Sequence, residues 1–214
     1  SYITSNYNGF NISCFDSSDG AIDLTVSGSV PTYSYQWSNG ETTEDITNLS
    51  YGVYFVTITD LNGCVHNVSV NLNQPSQLMS YTTPLPVSCF DSLDGGITLT
   101  VSGGVPNYTY QWSNSPNTPP FSSSSQNISN IHAGTYYVSV TDFNGCLTYD
   151  TATVIEPSPI ISYIQSTYDY NGFDISCAGY SDGAIDLTVS GSAPPYTYYW
   201  VGPNGFSTTN TIDS

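Results

Sequence analysis

Five cysteines, Cys14, Cys64, Cys89, Cys146 and Cys177, are the residues of this sequence best suited to chemistry. A thiol can pair, ligate a soft metal or attack a substrate, and its surroundings decide which. Three of the five open one recurring stretch: Ser13 to Gly28 (SCFDSSDGAIDLTVSG), Ser88 to Gly103 (SCFDSLDGGITLTVSG) and Ser176 to Gly191 (SCAGYSDGAIDLTVSG). The other two close a second motif, Asp60-Leu61-Asn62-Gly63-Cys64 and Asp142-Phe143-Asn144-Gly145-Cys146. Cysteines at repeated places in a Tyr-rich chain without Lys or Arg point to an oxidising compartment and to disulfides. The order of the repeat gives the expected pairs Cys14–Cys64 and Cys89–Cys146. Cys177 is left with its partner missing, because the chain stops at Ser214 before the matching position, and the chain reads as an interior fragment of something longer. A Cys14–Cys64 bridge closes a loop of about 50 residues, worth roughly 4 kcal/mol by loop entropy.

Carboxylates are the second candidate chemistry. Asp16, Asp19, Asp60 and Asn62, with Asp91, Asp94, Asp142 and Asn144 in the next repeat, place hard oxygen donors in glycine-containing turns, as calcium requires. Their spacing departs from the D-x-D-x-D-G loop of hand-type calcium sites, and Asp/Asn-Gly is also what tight turns need for hydrogen bonding and positive φ. Turn chemistry is the expectation, with no cofactor, and calcium is its alternative. The two histidines, His66 and His132, fall at non-equivalent places in their repeats. No acid, base or oxyanion-stabilising cation recurs, so no catalytic residue is assigned and the chain is expected not to be an enzyme.

All 17 formal charges are negative. A chain with no cation has nothing to neutralise phosphates, which excludes nucleic acid and anionic membrane surfaces as partners. Aromatic residues make up 14% and charged residues only 8%, against about 25% charged in ordinary soluble domains. Disorder is therefore not expected. No apolar run approaches the roughly 20 residues of a membrane span, and no direct membrane insertion is expected in this segment.

The elements that must position these groups follow from alternation. Ile22, Leu24 and Val26 share one face of a strand, as do Ile97, Leu99, Val101 and Ile185, Leu187, Val189. A second strand carries Tyr33, Tyr35, Trp37, with Tyr108, Tyr110, Trp112 and Tyr196, Tyr198, Trp200 as its copies. Each Trp lies 23 residues after its first cysteine, at 37, 112 and 200. Ile46 and Leu49 anchor a short segment matched by Ile128 and Ile131. Tyr54, Val56, Ile58 and Tyr136, Val138, Val140 alternate with outward residues such as Phe55 and Tyr137, the side chains best placed for lateral contact with another chain. A last strand runs from the second cysteine to Pro75 or Pro157. Many short strands with Gly, Pro and Asn-Gly punctuation, and no helical period, mean all-β: tandem immunoglobulin-like β-sandwich modules, disulfide-clamped.

The expected modules are residues 1–75, 76–157 and 158–214, the third truncated. Their joints, Gln74-Pro75-Ser76 and Glu156-Pro157-Ser158-Pro159, contain proline and no glycine run, so the modules are expected to be arranged as a rod. The first and third modules open alike, Tyr7-Asn8-Gly9-Phe10-Asn11-Ile12-Ser13 and Tyr170-Asn171-Gly172-Phe173-Asp174-Ile175-Ser176, while the second has Pro84-Leu85-Pro86-Val87-Ser88. Two alternating module types are expected. The second module also has a longer loop after Trp112, with Pro119-Pro120-Phe121 and Ser122 to Ser125, where contacts could vary without touching the core.

Taken together, Ser-Cys-Phe-Asp-x-x-Asp-Gly, Ile-x-Leu-Thr-Val-Ser-Gly, Pro-x-Tyr-x-Tyr-x-Trp-Ser-Asn, Gly-x-Tyr-x-Val and Thr-Asp-x-Asn-Gly-Cys resemble the SprB-type repeat of bacterial gliding-motility adhesins and giant cell-surface repeat proteins. The resemblance covers the first two modules and the third as far as it goes. The chain departs from it in lacking Lys and Arg and in carrying Phe15 and Phe90. The resemblance implies an extracellular, cell-surface filament or stalk segment exported by type IX secretion, used in gliding or surface attachment and without catalysis. Its partners would be other copies or other chains of a surface filament, or surface polysaccharide. The alternative is a carbohydrate-binding, lectin-like repeat, calcium-dependent or not, whose loop from Asn114 to Gln126 holds ligand. Asn11, Asn48, Asn67, Asn107 and Asn127 lie in Asn-x-Ser/Thr. Given the resemblance, Ser92 in Asp91-Ser92-Leu93 and Thr151 in Asp150-Thr151-Ala152 fit the O-glycosylation signal of such bacteria better.

Overall fold

A computed structural model describes residues 2–28, 30–116, 120–167 and 169–202, and the backbone of 207–212. Pro119, which belongs to the loop named above, lies outside the described residues. Every regular element among the described residues is a strand.

The first repeat contains β1 (Tyr2–Thr4), β2 (Gly20–Leu24), β3 (Ser34–Trp37), β4 (Ile46–Leu49), β5 (Gly52–Thr59) and β6 (Val65–Leu72). They form two three-stranded sheets, β1-β2-β4 and β3-β5-β6, with antiparallel pairing throughout. The period-2 pattern explains the layering, since residues two apart share a face. Ile22 and Leu24 of β2, Ile46 and Leu49 of β4, Trp37 of β3, Val56 and Ile58 of β5 and Val70 and Leu72 of β6 are buried in one core with Ile12. Tyr33, Tyr35 and Val26 pack against it half-buried, while Phe55 points outward at 58% exposure. This is a β-sandwich.

The second repeat follows the same order with β7 (Met79–Leu85), β8 (Gly95–Ser102), β9 (Thr109–Asn114), β10 (Ser122–Ser123), β11 (Ile128–Ile131), β12 (Gly134–Thr141) and β13 (Leu147–Val154). Its sheets are β11-β8-β7 and β10-β9-β12-β13. The longer loop after Trp112 supplies the extra edge strand β10, which pairs with β9. The third repeat contributes β14 (Ile161–Ser166) paired with β15 (Ile185–Ser190), and β16 (Tyr196–Val201) paired with β17 (Ser207–Ile212). Among the described residues this repeat has no counterpart of β5 and β6, and Leu187, Val189, Tyr198 and Trp200 are half-buried.

By contacts the chain divides into two compact units. One is Ser1–Thr83, Ile97–Ile128 and Thr135–Ala152; the other is Pro84–Gly96, Ser129–Gly134 and Thr153–Ser214. In the first, Ile97, Leu99, Trp112, Tyr136, Val138 and Val140 are buried, with Trp112 at 0% exposure. In the second, Val87, Ile131 and Val154 are buried.

A strand that the alternation pattern does not reveal precedes each first cysteine, as β1, β7 and β14. The structure also corrects one reading of the recurring stretch. The glycine of Asp19-Gly20 and Asp94-Gly95 is not a turn residue: each opens a strand and is buried, without positive φ. A Cβ on Gly20 would stand 2.6 Å from Ile12 Cδ1 and 2.9 Å from the Leu49 carbonyl oxygen. On Gly95 it would stand 2.8 Å from the Ile131 oxygen and 2.9 Å from Val154 Cγ1. Close approach of neighbouring backbone requires these glycines.

Two aromatic anchors recur in the first and second repeats, and the first of them also in the third. The first tyrosine of each Tyr-x-Tyr-x-Trp donates its hydroxyl to a glycine carbonyl five residues earlier: Tyr33 to Gly28, Tyr108 to Gly103 (2.7 Å) and Tyr196 to Gly191. Trp37 Nε1 donates to the Thr43 carbonyl and Trp112 Nε1 to the Ser125 carbonyl, both at 2.9 Å, so each buried indole has its partner. Gly20→Ala or Gly95→Ala should destabilise the chain by about 1–3 kcal/mol through overpacking, read from the urea midpoint. Gly40→Ala, where a Cβ meets nothing within 4 Å, is the control that carries the positive-φ cost alone.

Candidate functional site

The turn before the last strand is built by one aspartate. Asp60 Oδ1 accepts from the backbone N–H of Asn62 (2.9 Å) and Cys64 (2.8 Å), and Asp142 Oδ1 accepts from Asn144 and Cys146 (2.9 Å each). Gly63 and Gly145 take the positive φ of each turn, at 83° and 87°. Asp142 is buried, and its Oδ2 accepts a further bond from Val105 N at 2.8 Å. One carboxylate thus presents the Asn side chain and the thiol of Asn-Gly-Cys outward in a fixed pose.

The turn at the first cysteine is built likewise. Asp19 Oδ1 accepts from Ser13 N (3.1 Å), Asp94 from Ser88 N (3.0 Å) and Asp182 from Ser176 N (3.2 Å). The hydrogen bonds from Ser88, side chain before backbone, lower the Asp94 pKa from 3.8 to about 2, and those from Ser176 lower that of Asp182. Asp16 and Asp91 take positive φ, at 61° and 57°, and their N–H groups donate to Gln74 Oε1 and Glu156 Oε2 at 2.9 Å. The eight oxygen donors considered for calcium lie two to a turn in four turns, several of them accepting backbone N–H groups. Among the described residues no three of His, Cys, Asp and Glu come together as metal ligands.

The cysteines do not pair within repeats. Cys14 is bonded to Cys146, with Cα atoms 5.7 Å apart, across 132 residues of sequence. Cys64, Cys89 and Cys177 are exposed free thiols. The expected pairs Cys14–Cys64 and Cys89–Cys146 are thus corrected, and strand length is the reason. Asn11 N and Ile12 N donate to the Asn73 carbonyl, so Cys14 sits at the end of the sandwich where β6 finishes. Cys64 sits where β6 begins, and eight residues of strand are about 25 Å, far beyond the roughly 7 Å a disulfide spans. Val87 N likewise donates to the Ile155 carbonyl just past β13, whereas Cys146 precedes β13.

Around the bond the first repeat meets the second through hydrogen bonds that repeat spacing does not predict. Tyr7 and Phe10 close a small hairpin whose turn residues, Asn8 and Gly9, have φ of 53° and 94°. Asn144 Nδ2 donates to the carbonyls of Ser13 (2.8 Å) and Tyr7 (3.3 Å), and Asn8 Nδ2 donates to Asn144 Oδ1 (2.6 Å). Asn144, considered only as a calcium donor, is the polar half of an inter-repeat clamp. The signal that could have found it is the pairing of Tyr-Asn-Gly-Phe in one module with Asn-Gly-Cys in the next.

The other sequence candidates lie elsewhere. His66 stands on β6 opposite Ile58, and His132 Nδ1 is 3.8 Å from Asp91 Oδ1. In the loop considered for ligand, Phe121 packs edge-on against Tyr136 with ring centroids 5.5 Å apart, and its N–H donates to Asn114 Oδ1. Ser92 is half-buried and Thr151 exposed. Asn11 and Asn127 use their side chains on backbone groups, Asn11 Oδ1 accepting from Asn73 N and Asn127 Oδ1 from Leu99 N.

Cys146→Ser should lower stability by up to about 5 kcal/mol on the loop-entropy account of a 132-residue closure, measured by urea unfolding. Asn144→Ala should cost about 1–2 kcal/mol with the disulfide intact. The depressed pKa of Asp94 has a definite sign. Its contribution to stability is present above the ordinary 3.8 and is lost as pH falls through about 2. An NMR titration of its carboxyl should show a midpoint near that low value, and Ser88→Ala, which removes the hydroxyl donor, should raise it.

Residues 10–42, 82–117 and 173–205 match the family model described as the SprB repeat. Each match starts shortly before a first cysteine and runs past the tryptophan. A search of curated proteins finds no match. Among solved structures the chain is similar to the amphioxus IgVJ-C2 molecule, at 16% identity over 65% of this chain and 97% of that one, with a TM-score of 0.32. It is also similar to the N-terminal eight immunoglobulin domains of Down Syndrome Cell Adhesion Molecule isoform 1.30.30, at 13% identity and a TM-score of 0.32. That second likeness covers 91% of this chain and 30% of the other, so the chain spans under a third of its length. Both likenesses are slight, and the sandwich fold stands on the sheets described above. The cysteine, Asp-Gly and Tyr-x-Tyr-x-Trp elements recur in all three matched stretches, so the chain carries three stretches that match the SprB repeat.

Proposed function

We propose that this chain is a stalk or filament segment of an extracellular bacterial surface adhesin, exported by type IX secretion and acting in gliding or surface attachment without catalysis. The observation that carries this reading is the covalent bond from one repeat to the next, Cys14–Cys146, set among the Asn144 hydrogen bonds. A module working alone gains little from being tied to its neighbour. A segment that transmits pull gains a shorter path, because tension entering at Cys14 passes to Cys146 and leaves residues 15–145 unloaded. The partners are other copies or chains of the same filament, met through outward aromatics such as Phe55, Tyr137 and Tyr149. The carboxylates act as turn builders, so the segment needs no cofactor.

Single-molecule stretching of the 214-residue chain tests the role. Fully extended, the bypassed loop measures about 450 Å. The oxidised chain should extend by that much less than the chain reduced with dithiothreitol. Equal extension in both states would remove the basis for the stalk reading, and selective binding on a glycan array would replace it with the lectin-like one.

A further inference from the structure

The joint between the second and third repeats has the same hydrogen bonds as the joint between the first and second. In the first joint, Asp16 N donates to Gln74 Oε1, and two residues later the Ser76 carbonyl accepts from Gly104 N at 2.9 Å. In the second, Asp91 N donates to Glu156 Oε2, and two residues later the Ser158 carbonyl accepts from Ser192 N at 2.9 Å. Gly104 in turn lies against the aspartate that builds the Cys146 turn, since a Cβ there would stand 2.6 Å from Asp142 Oδ2. The same place beside Ser192 is where a third repeat carried to full length would set its own Asp-x-Asn-Gly-Cys turn. Cys89, in the turn capped by Glu156, is exposed and carries a free thiol.

We infer that the bond is a rule of the array: the first cysteine of a repeat pairs with the second cysteine of the repeat that follows it. Cys14–Cys146 is one rung. Cys89 is the donor of the next, toward a cysteine standing in the third repeat where Cys64 stands in the first. Cys64 occupies the receiving position, its turn held by Asp60 as Asp142 holds that of Cys146, and takes the first cysteine of a repeat placed before it. Cys177 occupies the giving position, behind the Tyr170–Phe173 hairpin that copies Tyr7–Phe10, with Asn171 and Gly172 at φ of 57° and 90°. The rule gives each of the three free thiols a partner position outside its own repeat, and strand length denies them one inside it. Each rung forms by thiol–disulfide exchange with a small disulfide oxidant such as glutathione disulfide: two thiols lose two protons and two electrons, one S–S bond forms, and the oxidant is reduced to two glutathione thiols.

The test extends the full chain past Ser214 with a copy of residues 49–75, which completes the third repeat and brings in one new cysteine at the Cys64 position. The protein is refolded in a glutathione redox buffer, its free thiols are alkylated, and it is cut with chymotrypsin and Glu-C, since no Lys or Arg offers a trypsin site. Peptide mapping should find Cys14–Cys146 and a second bond from Cys89 to the added cysteine, with Cys64 and Cys177 alkylated. A bond from Cys177 to the added cysteine, or an alkylated Cys89, overturns the rule. In the Cys89→Ser form of the extended chain the added cysteine should be alkylated; if it turns to Cys177 instead, pairing within a repeat is possible and the rule fails. The Cys14–Cys146 peptide in every digest reports that the array has folded.

Discussion

The length of one strand governs how these repeats are joined. β6 and β13 each run eight residues, about 25 Å, and each separates the two cysteines of its own repeat. A disulfide cannot cross that distance, so oxidation has no productive outcome inside a sandwich. At the end where β6 finishes, the chain passes into the next repeat, whose Asn-Gly-Cys turn lies at its near end. The two cysteines that meet are therefore contributed by successive repeats, and a thin sandwich gains its covalent support from its neighbour rather than from itself.

The second constraint is charge. A chain with 17 acidic side chains and no Lys or Arg cannot balance carboxylates with ion pairs to those residues. It uses backbone N–H groups, which carry partial positive charge and are fixed in place. Asp19, Asp60, Asp94, Asp142 and Asp182 each hold a turn in this way. These bonds also set the pose of both cysteine-bearing turns. The acidic residues and the disulfide are thus one device: the carboxylates shape the turns, and the turns place the sulfurs.

Much of the fold was legible because the repeat displays each strand more than once. Alternation in Ile22-x-Leu24, Tyr35-x-Trp37 and Val56-x-Ile58 named the inner faces correctly, and Phe55 and Tyr137 point outward as the same pattern requires. β1 was not legible, because three residues with mixed exposure carry no period. The buried glycines were misread because Asp-Gly is a common turn pair, and only tertiary packing reveals that Gly20 lies against Ile12 and the Leu49 carbonyl. The disulfide was misread for a related reason. Repeat order names which cysteines are equivalent, but equivalence holds equally for pairing within a repeat and between repeats. Choosing between them needs the end of the sandwich at which each cysteine sits, which follows from strand direction and not from spacing.

On the proposed stalk role, that distinction changes how the module would carry force. A bridge from Cys14 to Cys64 would shield most of one sandwich and leave every joint to bear the full pull. With Cys14–Cys146, the first joint, β2 to β6 of the first repeat and β7 to β12 of the second lie within the bypassed segment. Tension then falls on the chain beyond Cys146, beginning with β13, the Glu156-Pro157-Ser158-Pro159 segment and β14. β13 is held along its length in the β10-β9-β12-β13 sheet, and β14 pairs with β15 over six residues. Strands pulled along their own axes must break their ladder bonds together rather than one by one, so the loaded stretch is the kind of structure that resists stretching. The covalent staple takes the first joint out of the loaded path and leaves the load on hydrogen-bonded strands and the second joint.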